Sequence, residues 1–141
     1  DFGKFHPSGT LGKRLILKVK DLMSTGENNA VIGQGASLDE AVIQLSKKGL
    51  GIVSVVDESG NLTGVITDGD LRRQIEKKAS IYELKVNDVM SHNPVVIGPD
   101  ILAVEALNML KKNNISGMPV CVDKKVVGTI RIQDIINAGI I

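Results

Sequence analysis

The chain writes one pattern twice. Asp21-Leu22-Met23-Ser24 returns as Asp88-Val89-Met90-Ser91. Each copy continues with an apolar helix pattern and then a strand-like run, Ile52 to Val56 in one and Met118 to Val122 in the other. A second run opens on glycine, Gly64-Val65-Ile66-Thr67 and Gly128-Thr129-Ile130-Arg131, and an aspartate follows three residues later, Asp70 and Asp134. A repeat of this size is one supersecondary unit that does not bury its apolar face alone. Two copies are expected to pack face to face, with a cleft between them as the place for a ligand.

Local signals divide each copy. Ala30-Val31-Ile32 reads as a short strand. Ser37 and Glu40 have the spacing of a capping box, which satisfies free N–H groups at a helix start. Leu38, Ala41, Val42 and Leu45 then give one apolar helix face, and Gly49 suits a left-handed cap. Asp57 to Asn61 is a turn by composition, Leu62 to Thr67 the return strand, and Asp68 to about Lys78 a second helix, apolar at Leu71 and Ile75. In the second copy Pro94 to Ile97 reads as the strand, and Ala103, Ala106, Leu107 and Leu110 as the helix face. A hairpin and a last helix starting at Asp134 follow. Each copy is thus β-α-β-β-α, an α+β arrangement with helices to one side of a small sheet. The division expected is a linker over residues 1–20, a first repeat over 21–80 and a second over 81–141.

The composition excludes several functions. The 17 basic and 16 acidic side chains leave a net charge of +1, so no field draws nucleic acid. Aromatic residues at 2% leave few platforms for stacking bases. No apolar run reaches the roughly 18 residues of a membrane span, and Asp1 to Pro7 has no signal-peptide core. A cytoplasmic protein is expected. Cys121, alone and in a strand-like run, reads as an inert thiol. No His/Cys/Asp spacing suggests a metal site, Gly33-Gln34-Gly35 lacks the third glycine of a dinucleotide loop, and neither histidine sits beside a nucleophile.

The segment that carries chemistry runs from Thr67 to Arg73. A strand ending at Thr67 feeds a helix whose first N–H groups, at Asp68, Gly69 and Asp70, are free to meet an anion. Gly69 allows close approach. The Thr67 hydroxyl suits phosphate, and the Asp70 carboxylate suits sugar hydroxyls. Arg72 and Arg73 follow, as anion ligands or as a solvated face. Threonine and aspartate are also ordinary helix caps, so a cap and a nucleotide grip are both open. In the second copy Arg131 replaces the threonine while Asp134 keeps the aspartate, so the two sites are not equivalent. Arg131 can bind phosphate as a charged fork or pair at the surface. Ile52 and Met118 are candidates to flank a base.

Two β-α-β-β-α copies, each closing on glycine, apolar residues, a Thr/Ser position and an Asp three residues later, resemble a pair of CBS domains over about residues 20–140, with Arg131 a departure from the pattern in the second copy. The resemblance implies a pseudo-two-fold pair that binds adenosine nucleotides or similar ligands between its repeats, associates as a homodimer, and regulates an attached protein. A narrower resemblance joins Phe5-His6-Pro7-Ser8-Gly9-Thr10-Leu11-Gly12, Thr67-Asp68-Gly69-Asp70-Leu71-Arg72-Arg73, Ile101 to Asn108 and Gln133 to Ile141. Together these are similar to bacterial D-arabinose-5-phosphate isomerases, in which a sugar-isomerase (SIS) domain precedes a CBS pair. It implies a regulatory part with catalysis upstream, the conversion of ribulose 5-phosphate to arabinose 5-phosphate for Kdo, and AMP, ATP or CMP-Kdo as ligand with no cofactor required. His6 resembles a histidine that the family is thought to use in catalysis. A structural dimerisation module without a ligand is the alternative.

Overall fold

The computed structural model describes residues 9–140; His6 lies outside them. In chain order the elements are α1 (Thr10–Ile16), α2 (Val19–Leu22), β1 (Val31–Gly33), α3 (Leu38–Lys48), β2 (Ile52–Val56), β3 (Leu62–Thr67), α4 (Asp68–Glu76), α5 (Val86–Val89), β4 (Ser91–His92), α6 (Ala103–Lys112), β5 (Gly117–Val122), β6 (Lys125–Arg131) and α7 (Ile132–Asn137). β1 runs parallel to β2, β3 pairs antiparallel with β2, and β4 pairs antiparallel with β3, in the order β1-β2-β3-β4. β5 and β6 form a hairpin. Beside it, single bridges from Ile97 to Val120 and from Ser24 to Thr129 stand where β1 and β4 stand in the first half. The strand expected over Pro94 to Ile97 shrinks to that one bridge, because Pro94 and Pro99 bracket the run and neither has an N–H to donate.

The helices follow their apolar spacing. Leu38, Ala41 and Leu45 of α3 are buried, and Gly49 ends the helix with φ +68°. The capping box expected at Ser37 and Glu40 is not made: the Ser37 side chain forms no cap bond. The Leu38 N–H instead donates to the Leu84 carbonyl at 2.8 Å, so the chain returning from α4 caps α3. Leu71 packs on the first core, whereas Ile75, expected on the same apolar face, is 65% exposed. Only the N-terminal half of α4 is anchored.

Two apolar clusters make the core, and they do not follow the sequence copies. The first holds Leu38, Val53, Val55 and Ile66, but also Val86 and Met90 from the start of the second copy. The second holds Ile97, Leu107, Leu110, Met118, Ile130 and Ile135, but also Val19 from before the first copy. The lead-in segments are exchanged. Val19 N–H donates to the Ile101 carbonyl and Ala103 N–H to the Leu17 carbonyl, both at 2.8 Å. Ser24 and Thr129 exchange N–H···O bonds at 2.9 and 3.0 Å. Across the boundaries expected at residues 20 and 80, segment 17–24 packs on the second half and segment 86–92 on the first. Residues 10–16 and 19–20 of the expected linker are helical, and Leu17 and Val19 find an apolar seat on the second core with Leu22 and Met23.

The glycine that recurs in both copies is explained by this exchange. A Cβ on Gly64 would lie 2.7 Å from Met90 Sδ and from the Ser91 carbonyl oxygen. On Gly128 it would lie 2.7 Å from Met23 Sδ and 2.8 Å from the Ser24 carbonyl oxygen. The exchanged segment lies on the strand at the one residue with no side chain.

The turn at Asp57 is built as its composition suggests. Asp57 Oδ1 accepts from the Asn61 and Ser59 N–H groups, each at 2.9 Å. The Asn61 N–H, foremost among these donors, holds the carboxyl below its ordinary value of 3.8. A depressed carboxyl stabilises the fold above its unfolded pKa, and that contribution goes as pH falls through the lower folded value. The Asn61 amide shift, followed by NMR in an acid titration, should have its midpoint below 3.8; a midpoint at or above it would show that the turn does not hold the carboxylate. Burial pushes the Cys121 thiol up, which leaves it protonated and unreactive at neutral pH. Among the described residues no helix is long and apolar enough to cross a membrane.

Candidate functional site

Strand pairing sets the site. In β2 and β3, Ile52 lies opposite Thr67. Gly51, with φ +74°, turns the chain ahead of β2, and its carbonyl accepts the Asp68 N–H at 3.2 Å. The start of α4 is thereby fixed at the end of the sheet. Next to it opens a cavity of about 520 Å³ between the two halves, a size suited to a small organic ligand. From α4 and the strand before it come Thr67, Asp68, Gly69, Asp70, Arg72 and Arg73; Ile52 and Val65 line it from the first sheet. The second half supplies Pro94, Val95, Asn114, Ile115, Ser116, Gly117 and Pro119.

Thr67 and Asp70 form a complete capping box. Asp70 Oδ2 accepts from the Thr67 N–H at 2.9 Å and from the Thr67 hydroxyl at 3.1 Å. The Thr67 oxygen accepts the Asp70 N–H at 3.3 Å. Oδ1 of Asp70 receives the Arg73 guanidinium, and the Asp70 side chain is only 7% exposed. Of the three helix-start donors expected to be free, Asp68 is taken by Gly51 and Asp70 by Thr67. The Gly69 N–H is left, in the lining of the cavity. The Thr67 hydroxyl, expected to donate to phosphate, gives its hydrogen to Asp70 instead. Cap and cavity wall are one structure.

The other expected site residues fall differently. Met118 does not flank the cavity: it is fully buried in the second core. Pairing shows why. Thr67 lies opposite Ile52, and Arg131 lies opposite Gly117, so the repeat counterpart of Ile52 is Gly117. Met118 corresponds to the buried Val53, and neighbours along a strand face opposite sides. A Cβ on Gly117 would lie 3.4 Å from Ile52 Cγ2, so the absent side chain makes room for Ile52 across the pair. Arg131 and Asp134 are outside the cavity lining. Arg131 forks onto Asp134, with Nη2 to Oδ1 at 2.8 Å and Nε to Oδ2 at 3.3 Å. Thr129, the counterpart of Val65, donates its hydroxyl to Asn29 Oδ1 at 2.5 Å. Where the first half opens a cavity, the second spends its polar groups on internal bonds. The sequence reading also missed the wall formed by Pro94, Asn114 and Ser116. For Asn114 and Ser116 the signal was the loop ahead of β5, which repeats the position of Gly51 ahead of β2. Among the described residues, no three His, Cys, Asp or Glu side chains gather where they could hold a metal ion.

Two interlocked α+β repeats around a pseudo-two-fold, with a helix-start cavity between them, define a tandem-repeat module of one particular class. Residues 19–77 and 86–140 each match the CBS domain, and the chain belongs to that family as a CBS pair. It is 38% identical to arabinose 5-phosphate isomerase KdsD of Pseudomonas aeruginosa over 99% of this chain, and 35% identical to the KdsD of Escherichia coli over all of it. The chain spans 43% of the length of those relatives. Among solved structures, the CBS domain pair of protein MJ0100, in complex with 5′-methylthioadenosine and S-adenosyl-L-methionine, superposes with TM-score 0.78 at 28% identity, over 86% of this chain and 94% of that one. CBSX2 of Arabidopsis thaliana, in complex with AMP, does so with TM-score 0.74 at 26% identity, over 88% and 96%.

Proposed function

We propose that this CBS pair is the regulatory, non-catalytic part of a longer cytoplasmic arabinose-5-phosphate isomerase, and that it binds a nucleotide or nucleotide sugar between its halves. The single observation that carries this reading is the composition of the cavity. Two carboxylates, Asp68 and Asp70, a free backbone N–H and two guanidinium groups face a wall of Ile52, Val65, Pro94, Val95, Ile115 and Pro119. Such a cavity suits a ligand with an anion, a hydroxyl-bearing middle and a flat apolar end. Asp70 takes the sugar hydroxyls, the start of α4 the phosphate, and Ile52 one face of the base. The named ligands of MJ0100 and CBSX2 are adenosine compounds, and the KdsD relatives carry the isomerase name. In the longer protein the upstream partner is an SIS catalytic domain, and the pair associates as a homodimer, with ligand binding biasing the packing of the halves. AMP, ATP and CMP-Kdo are the ligands to test.

Isothermal titration calorimetry of the 141-residue chain against these three ligands tests the reading. At least one should bind, and Asp70→Ala should weaken it about tenfold or more, the loss of a charge-assisted hydrogen bond. No heat with any ligand at millimolar concentration, or undiminished affinity in Asp70→Ala, overturns it. Thermal melting of each variant separates loss of the site from loss of the fold.

A further inference from the structure

The cavity holds a cation that already occupies the group a sugar must reach. Asp70 Oδ2 is saturated by the Thr67 N–H and hydroxyl. Acceptor capacity remains at Oδ1, and there Arg73 sits. Arg73 folds back over the first turn of α4: its Nη1 lies 3.5 Å from where a Cβ on Gly69 would be, beside the free N–H. Its side chain is 62% exposed, and Arg72 is the other cation in the cavity wall. Among the described residues, Arg73 is the only cation bonded to Asp70.

We propose that Arg73 is a specificity-determining residue that makes the cavity select phosphorylated over unphosphorylated nucleosides. The inference rests on the nucleotide reading above. A nucleoside alone must displace Arg73 from Asp70 and gives the guanidinium nothing in return. A nucleotide displaces it equally but offers a phosphate, next to the Gly69 N–H, on which the planar fork can close. Opening a largely exposed ion pair costs little, at most about fivefold in affinity. The new charge-assisted bond returns about tenfold or more. The cost is common to both ligands, so the phosphate bond alone raises the ratio of nucleotide to nucleoside affinity, by about tenfold or more. In the second half the corresponding aspartate, Asp134, is held by Arg131 from the strand end, through two bonds and with the side chain only 25% exposed. That less exposed fork explains why the exchange is assigned to Arg73.

Titration of the wild type, Arg73→Ala, Arg73→Lys and Arg72→Ala with AMP and with adenosine tests this. Arg73→Ala should bind adenosine about two- to fivefold more tightly and AMP about two- to fivefold more weakly, the roughly tenfold phosphate bond lost less the same relieved cost, so the ratio falls about tenfold. Arg73→Lys should restore part of the AMP affinity, because the charge remains without the fork. A purely structural role for Arg73 would lower both affinities together and leave the ratio unmoved, which overturns the proposal. Collapse of the ratio in Arg72→Ala but not in Arg73→Ala overturns it too. If the wild type binds neither compound, this inference fails, and the nucleotide reading fails with it only if ATP and CMP-Kdo give no heat either. If it binds AMP and the ratio survives Arg73→Ala, only this inference fails.

Discussion

A chain that begins at Thr25 should lose about 3–6 kcal/mol of stability, the burial of Val19 together with part of Leu22 and Met23. Val19 is fully buried in the second core, and Leu17, Leu22 and Met23 pack against it. The truncation also removes the backbone bonds that join Val19 to Ile101, Leu17 to Ala103 and Ser24 to Thr129. Ala103 then loses the acceptor for the first N–H of α6, and Thr129 loses its neighbour strand. Against a typical total of about 5–15 kcal/mol, this is a large share, and it falls on the second half. Hydrogen exchange should show it, with the amides of α6 losing protection before those of α3. An unchanged denaturant midpoint would mean that residues up to Ser24 are only a tether.

Gly128→Ala should cost about 1–3 kcal/mol, the usual penalty for forcing an atom into a packed site. Gly64→Ala should cost about the same. Met23 Sδ, 2.7 Å from the added carbon, can move, since methionine adapts easily. The Ser24 carbonyl at 2.8 Å cannot, because it accepts the Thr129 N–H. Met23→Ala should therefore fail to rescue Gly128→Ala. Gly33→Ala is the control: its Cβ would meet nothing within 4 Å, and the change should stay within about 0.5 kcal/mol. Equal melting temperatures for Gly128→Ala and Gly33→Ala would show that the strand does not depend on the exchanged segment.

Both effects come from contacts between segments far apart in the chain, and this marks how much could be read from the sequence. α3, α6 and the two hairpins were legible because their signals are local: a 3.6-residue apolar spacing, a turn of Asp and Gly, a glycine at a helix end. Thr67, Asp68, Gly69, Asp70 and Arg72 were legible as a group because they are consecutive on one strand–helix junction. Met118 was misplaced because the copies were aligned by apolar character. Only strand pairing, with Gly117 opposite Arg131 and Ile52 opposite Thr67, sets the register, and a one-residue slip turns every side chain to the other face. Ser37 looked like a cap because its spacing allows one; the helix start is instead tied by the Leu84 carbonyl, distant in sequence, which accepts the Leu38 N–H.

By itself the sequence determined that this is a duplicated α+β chain, where its helices and hairpins lie, and that Thr67 to Arg73 share one strand–helix junction. Periodicity and capping are properties of neighbouring residues, so they are written in order along the chain. The tertiary structure alone decided that each copy lends its lead-in to the other half, that Gly64 and Gly128 exist to receive it, and that one half opens a cavity while the other ties Arg131 to Asp134. Those outcomes depend on which distant surfaces meet, and burial of apolar area rewards any complementary surface without regard to its place in the sequence.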